Sequence, residues 1–222
     1  MPKFFGHSVI FDLDGTLVDT AGDLHGATNH VLHSLGRDNV PLSAVKADVG
    51  FGALTLIKKG LSRTGGIDGI DGIDLEQAKQ TFLAYYIDNI AVHSKVFPGG
   101  LAMLETLTSK GISIGVCTNK PYALAVKLLH ELDLSHFFKA VIGGDSFSYK
   151  KPDPRHILET AARVGTGPYV MVGDASPDIL GAQAAGIPVI AAAYGYPDMD
   201  LKSLKPDAII QTLGEVEALL VA

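Results

Sequence analysis

PRHILETAARVGTGPYVMVGDASPDILGAQAAGIPVIAAA, residues 154–193, decides the fold. A helical pattern opens on Pro154 and stops at Gly165, and the short apolar run 169–172 follows. A second helical pattern over 177–185 stops at Gly186 and gives way to the apolar run 189–193. Proline suits a first helical turn and glycine the left-handed position just past a helix, so both helices carry start and stop signals. Apolar runs of four or five residues between such signals read as strands buried on both faces, the habit of parallel sheets. Outward from this stretch the alternation recurs, with helical patterns over 101–109 and 121–132 and apolar runs over 8–11, 112–117, 140–142 and 208–210. Repeated strand–helix–strand units predict an α/β fold: a doubly wound parallel sheet with a Rossmann-like core and its site at the carboxyl ends of the strands.

One interval breaks the alternation. Residues 20–93 hold helical patterns over 24–35, 54–63 and 75–91 and no convincing strand, so they read as a helical insertion. The expected division is a core of 1–19 with 94–222 and an insertion of 20–93. Within the insertion a Gly-Ile-Asp tripeptide occurs three times over 66–74. That is too short for a collagen helix and lacks the spacing of an EF-hand, so a loop is expected, with Asp74 as N-cap of the next helix and Gln77 as its capping-box partner.

Composition limits the partners. The chain has 222 residues, 18 Lys plus Arg against 24 Asp plus Glu, a formal charge of −6, and 47% hydrophobic residues. That is enough apolar material for a packed core, and a negative balance without a basic run argues against nucleic acid or an anionic membrane. The single Cys117 excludes an internal disulfide and a thiol-rich zinc site, leaving oxygen ligands for any metal. The opening residues do not fit a leader peptide, and no apolar run approaches the roughly 18 residues of a membrane helix, so a cytoplasmic protein is expected.

Four strand ends carry polar residues. Asp12 and Asp14 follow the first run at i and i+2, where Gly15 lets the chain turn and both carboxylates reach one space. Crowded carboxylates call for a cation or a shared proton, and with oxygen donors the cation is Mg²⁺. Thr118 and Asn119 end the run 112–117, Lys151 stands in a proline-flanked loop, and Asp174 and Asp178 follow the run 169–172. Each motif alone also reads as an ordinary turn, cap or solvated loop. Together they deliver to one sheet edge the residue kinds a phosphoryl site requires. His30 and His33 share a helical face without a third ligand, and Cys117 reads as a buried apolar residue.

The order Asp-x-Asp-Gly-Thr (Asp12 to Thr16), Thr-Asn (Thr118, Asn119), Lys-Pro (Lys151, Pro152) and Gly-Asp-x-x-x-Asp (Gly173 to Asp178) resembles the haloacid dehalogenase superfamily of phosphohydrolases over nearly the whole chain. The resemblance implies that residues 20–93 form a helical cap that selects substrate. It further implies that Asp12 attacks phosphorus and that Asp14 acts as acid and base. Mg²⁺ is then held by Asp12, Asp174 and the backbone carbonyl of Asp14. Lys151, Thr118 and Asn119 orient the phosphoryl group, and Asp178 supports the metal shell with Lys151 as a partner. Asp14 disfavours a dehalogenase, whose leaving group needs no proton. Stretches such as 14–20, 49–53, 118–121, 150–154 and 194–196 are similar to the bacterial phosphoglycolate phosphatases within the superfamily, although Pro177 stands where Asn is common. The implied partner is a small phosphorylated metabolite, with Gly50 and Gly52 in the selecting loop and Lys46, Lys58, Lys59 or Arg63 as candidate partners for a substrate carboxylate. The alternatives are a phosphatase for another small phosphorylated metabolite, a phospho-accepting receiver module, which is shorter and lacks a helical insertion, and a β-phosphoglucomutase-like phosphosugar mutase. The mutase carries a cap arginine where this chain has Ala53.

Overall fold

The computed structural model describes residues 4–5, 8–65 and 73–221. Its centre is a parallel sheet of six strands: β1 Ser8–Phe11, β2 Ser113–Cys117, β3 Ala140–Ile142, β4 Tyr169–Gly173, β5 Val189–Ala192 and β6 Ala208–Ile210. In these labels the order is β3-β2-β1-β4-β5-β6, the doubly wound arrangement. Register follows from burial. Ile10 faces Gly115 on one side and Met171 on the other, and β1, β5 and nearly all of β2 and β4 are shielded on both faces. The connection of β1 to β2 on one side and later to β4 on the other leaves a switch point beside β1, where such sheets place their ligands.

Between β1 and β2 the chain forms helices α1 Ala21–Ser34, α2 Leu42–Lys46, α3 Ala53–Arg63 and α4 Leu75–Asp88. Beyond them come α5 Gly100–Ser109, α6 Tyr122–Glu131, α7 Pro154–Val164, α8 Ser176–Ala184 and α9 Glu215–Leu219. Contacts divide the chain into two compact units, Met1–Asp19 with Lys95–Ala222, and Thr20–Ser94. In the first, Ile157, Ala161 and Val164 of α7 and Ile179 and Ala182 of α8 cover Ile10, Met171 and Val189 of the sheet. In the second, α1 packs its buried Leu24, Val31 and Leu32 among the helices, and His30 stacks on Tyr85 at 4.4 Å. That stacking occupies one of the two histidines weighed as metal ligands.

Local details depart from the sequence reading at the ends of elements. α4 stops at Asp88 instead of 91, and α1 starts at Ala21 instead of 24. The short α2 and an antiparallel pair of two-residue strands, Val18–Asp19 with Lys95–Val96, were not expected. Elements of two to five residues span little more than one period of a hydrophobic pattern, too few for the pattern to repeat. Asp74 caps α4, accepting from Glu76 N at 2.9 Å and Gln77 N at 3.1 Å. Most of the tripeptide repeat, residues 66–72, lies outside the described residues. No helix among the described residues is long and apolar enough to cross a membrane.

Candidate active site

The sheet ladder delivers the first carboxylate. Asp12 N donates to Val172 O at 2.9 Å, so the backbone stays parallel to β4 one residue beyond β1 and the side chain is placed at the strand end, where it is buried. Gly15 follows with φ +87°, a left-handed conformation that disfavours side chains. A Cβ there would lie 2.3 Å from Asp174 Oδ2. Glycine is therefore required twice, for the turn and for the approach of Asp174. On the adjoining strand, Thr118 N donates to Ile142 O at 3.0 Å, and Thr118 Oγ1 accepts from Lys120 N at 3.2 Å. Gly143 and Gly144 back this loop at contact distance. A Cβ on Gly143 would meet Tyr122 N at 2.3 Å, and one on Gly144 would meet Asn119 O at 2.3 Å. Asn119 Nδ2 donates to Lys151 O at 3.1 Å, tying the Thr-Asn loop to the lysine loop.

The charges interlock. Lys151 Nζ lies 2.6 Å from Asp178 Oδ1 and 2.9 Å from Asp12 Oδ1, with its side chain 1% exposed. Asp178 Oδ2 also accepts from Ala175 N at 3.2 Å, which fixes the first turn of α8. Asp174 is gripped from both sides: Thr16 Oγ1 donates to its Oδ1 at 2.6 Å and Tyr196 N to its Oδ2 at 2.7 Å. Tyr194 and Tyr196 extend this support, donating from their hydroxyls to Thr16 O at 2.8 Å and to the Asp19 carboxylate. Asp14 pairs with Lys120, whose Nζ lies 2.9 Å from Oδ1 and 3.2 Å from Oδ2.

Burial sets the protonation equilibria. Desolvation pushes the Asp12 carboxyl from 3.8 up to about 6, against the pull of Lys151 and with help from Asp178 and Asp14. Desolvation also raises Asp174, reinforced by Asp178 and Asp12 and opposed by the Thr16 and Tyr196 hydrogen bonds. For Lys151 burial works against the charge, but Asp12 and Asp178 outweigh it and hold the ammonium protonated. Cys117 lies 3.4 Å from His156 Nδ1, and burial pushes its thiol up to about 12. A thiol that stays protonated is a poor nucleophile, in keeping with a packing role.

The donor set fits a divalent cation. Asp12, Asp174 and Asp178 each offer an oxygen within 4.8 Å of the others, the one such group of three or more His, Cys, Asp or Glu side chains among the described residues. Asp12 Oδ1 has the Lys151 ammonium 2.9 Å away and no backbone or hydroxyl donor. Hard oxygen donors with uncompensated negative charge are what Mg²⁺ or a similar ion takes.

Asp12, Asp174, Asp178, Lys151, Thr118 and Asn119 thus meet at one sheet edge, while the Asp14 side chain turns to Lys120 instead of joining the three clustered carboxylates. Gly50 and Gly52 belong to the other unit, at φ +91° and +92° before α3, with open space where side chains would stand. Among the candidate cations there, Arg63 pairs with the buried Asp48. Lys120, Thr16 and Tyr196 received no role from sequence reasoning. The signal for Lys120 was its place two residues after Thr118, in a loop facing a strand end that carries two carboxylates.

The fold and this constellation gather carboxylates, a lysine and hydroxyl donors at the switch point of a doubly wound sheet. The chain belongs to the Haloacid dehalogenase-like hydrolase family, which matches residues 9–192. Among curated relatives, it is 38% identical over 203 residues to a phosphoglycolate phosphatase of Agrobacterium fabrum, covering 90% of this chain and 86% of that one. A phosphoglycolate phosphatase of Caulobacter vibrioides is 39% identical over 216 residues, covering 95% and 89%. A solved structure from Haemophilus somnus, described as a predicted phosphoglycolate phosphatase, superposes with a TM-score of 0.89 at 27% identity, covering 96% of this chain and 97% of that one.

Proposed function

We propose that the chain is a Mg²⁺-dependent phosphomonoesterase that hydrolyses 2-phosphoglycolate to glycolate and phosphate. The observation that carries the reading is the buried group of Asp12, Asp174 and Asp178 with Lys151 between two of them. Asp12, ionised above about pH 6, attacks phosphorus and forms an aspartyl phosphate as the ester P–O bond breaks. Asp14 gives its proton to the departing alkoxide and then removes one from the water that attacks the aspartyl phosphate, restoring Asp12. Lys151, Thr118 and Asn119 orient and neutralise the phosphoryl oxygens. Asp12, Asp174 and the Asp14 carbonyl would hold Mg²⁺, with Asp178 supporting Lys151. When bound, the cation supplies charge neutralisation at the phosphoryl group.

The unit Thr20–Ser94 serves on this reading as the cap that selects substrate, through the Gly50 and Gly52 loop. The substrate named for the curated relatives supports phosphoglycolate as the first choice, and a single buried cysteine suits a cytoplasmic enzyme.

Release of inorganic phosphate from 2-phosphoglycolate, with and without EDTA, tests the proposal, and both EDTA and Asp12→Asn should abolish it. Equal turnover of sugar phosphates and nucleotides would refute the substrate and leave the reaction class standing. Conversion of glucose 1-phosphate to glucose 6-phosphate faster than phosphate release would establish a mutase instead.

A further inference from the structure

Lys120 is a long cationic side chain held inside the protein, and the catalytic scheme above leaves it without a task. Its backbone is pinned on both sides: Lys120 N donates to Thr118 Oγ1 at 3.2 Å, and Lys120 O accepts from Gly144 N at 2.8 Å. The side chain is 3% exposed, against 10% for the Asp14 side chain it meets. Lysines ordinarily keep the ammonium in water, and burying one is costly unless a partner is placed for it. Here Nζ spans both oxygens of one carboxylate, at 2.9 and 3.2 Å, while Lys151 spans Asp12 and Asp178. The two lysines therefore divide three of the four site carboxylates between them, and Asp14 falls to Lys120.

From this arrangement we infer that Lys120 is a positioning residue for proton transfer: it fixes the plane and direction of the Asp14 carboxyl group, so that the proton passes in line with the departing oxygen. The inference rests on the phosphatase reading and deepens it. Thr118 gains a second part in the same device, since its hydroxyl anchors the Lys120 backbone. Misplacing a catalytic group by about 1 Å can cost on the order of 100-fold, and a positioned acid contributes roughly 100- to 10,000-fold.

A residue acting through Asp14 matters only where the leaving oxygen needs a proton. An alkyl ester such as 2-phosphoglycolate expels a basic alkoxide, whereas 4-nitrophenyl phosphate expels a stable phenolate. The quantity to measure is kcat/KM for both esters in Mg²⁺, which contains only the steps up to release of the alcohol. For Lys120→Met the ratio of 4-nitrophenyl phosphate to 2-phosphoglycolate should rise by about tenfold or more, and Lys120→Arg should restore it in part. In an Asp14→Asn background, Lys120→Met should leave the ratio where Asp14→Asn alone puts it.

A lysine that touched the phosphoryl group itself would lower both constants alike. An unchanged ratio with both falling together therefore overturns the inference, as does an unchanged pair of constants or a further rise of the ratio in the Asp14→Asn background. Circular dichroism and the Lys120→Arg variant separate loss of fold from loss of aim. Failure of the wild type on both esters overturns the phosphatase reading, and the inference with it.

Discussion

Asp12→Asn should stabilise the metal-free protein while removing its chemistry. The folded Asp12 carboxyl titrates near 6 against an ordinary 3.8, a rise caused first by burial and only partly offset by Lys151. Above pH 3.8 the unfolded chain gives up this proton, whereas the native chain keeps it until about 6. The native state therefore binds more protons across that interval, and stability falls as pH rises through it and is level beyond. A rise of about two units corresponds to about 3 kcal/mol that the ionised carboxylate costs the native state at pH 7.5. Asparagine matches the shape of the neutral acid, and its effect should approach that figure at pH 7.5 and vanish near pH 4. The chain has no tryptophan, so urea unfolding in EDTA is best followed by far-ultraviolet circular dichroism. Added Mg²⁺ should raise the unfolding midpoint of the wild type more than that of the variant. The reasoning fails if Asp12→Asn destabilises the metal-free protein at pH 7.5, or if its effect is the same at pH 4 and pH 7.5.

Lys151→Met leaves Asp12 and Asp178 buried without the cation between them, so it should cost about 3–5 kcal/mol in urea unfolding and abolish phosphate release. Gly15→Ala meets Asp174 Oδ2 at 2.3 Å and sits at φ +87°, and it should cost about 1–3 kcal/mol and weaken Mg²⁺ binding by titration calorimetry. Asp74→Ala removes the acceptor for Glu76 N and Gln77 N at the start of α4, and should cost about 1 kcal/mol in the same unfolding assay.

The sheet was legible because its information is local. Each of the six strands is a run of apolar residues closed by a turn signal, and Gly111, Gly165 and Gly186 mark where three helices stop. The strand-end carboxylates were legible for the same reason, since a parallel sheet fixes where a residue just past a strand must lie. What holds Asp174 was not legible. Thr16 reaches it across 158 positions and Tyr196 across 22, and no periodicity links residues at such distances. Gly143 and Gly144 read as a turn, but their requirement for glycine comes from Tyr122 and Asn119 pressing against them, a contact between two loops of different strands. The pairing of Lys120 with Asp14 spans 106 positions and follows only once β2 is known to lie beside β1.

The charge of the site explains why cation and ester belong together on the proposed reading. Asp12, Asp14, Asp174 and Asp178 place four carboxylates against the two ammonium groups of Lys120 and Lys151, a formal excess of two negative charges. A phosphate dianion approaching this edge meets repulsion strengthened by burial, since few waters remain to screen it. One divalent cation removes the excess, so that Lys151 can attract the phosphoryl oxygens. The raised Asp12 and Asp174 carboxyls express the same excess from the other side: without the cation the buried charges repel, and Asp12 holds its proton up to about pH 6. The metal thus keeps Asp12 ionised to lower pH and makes it approachable by an anion. An acidic chain of net charge −6 can in this way serve an anionic substrate at the place where its own negative charge is densest.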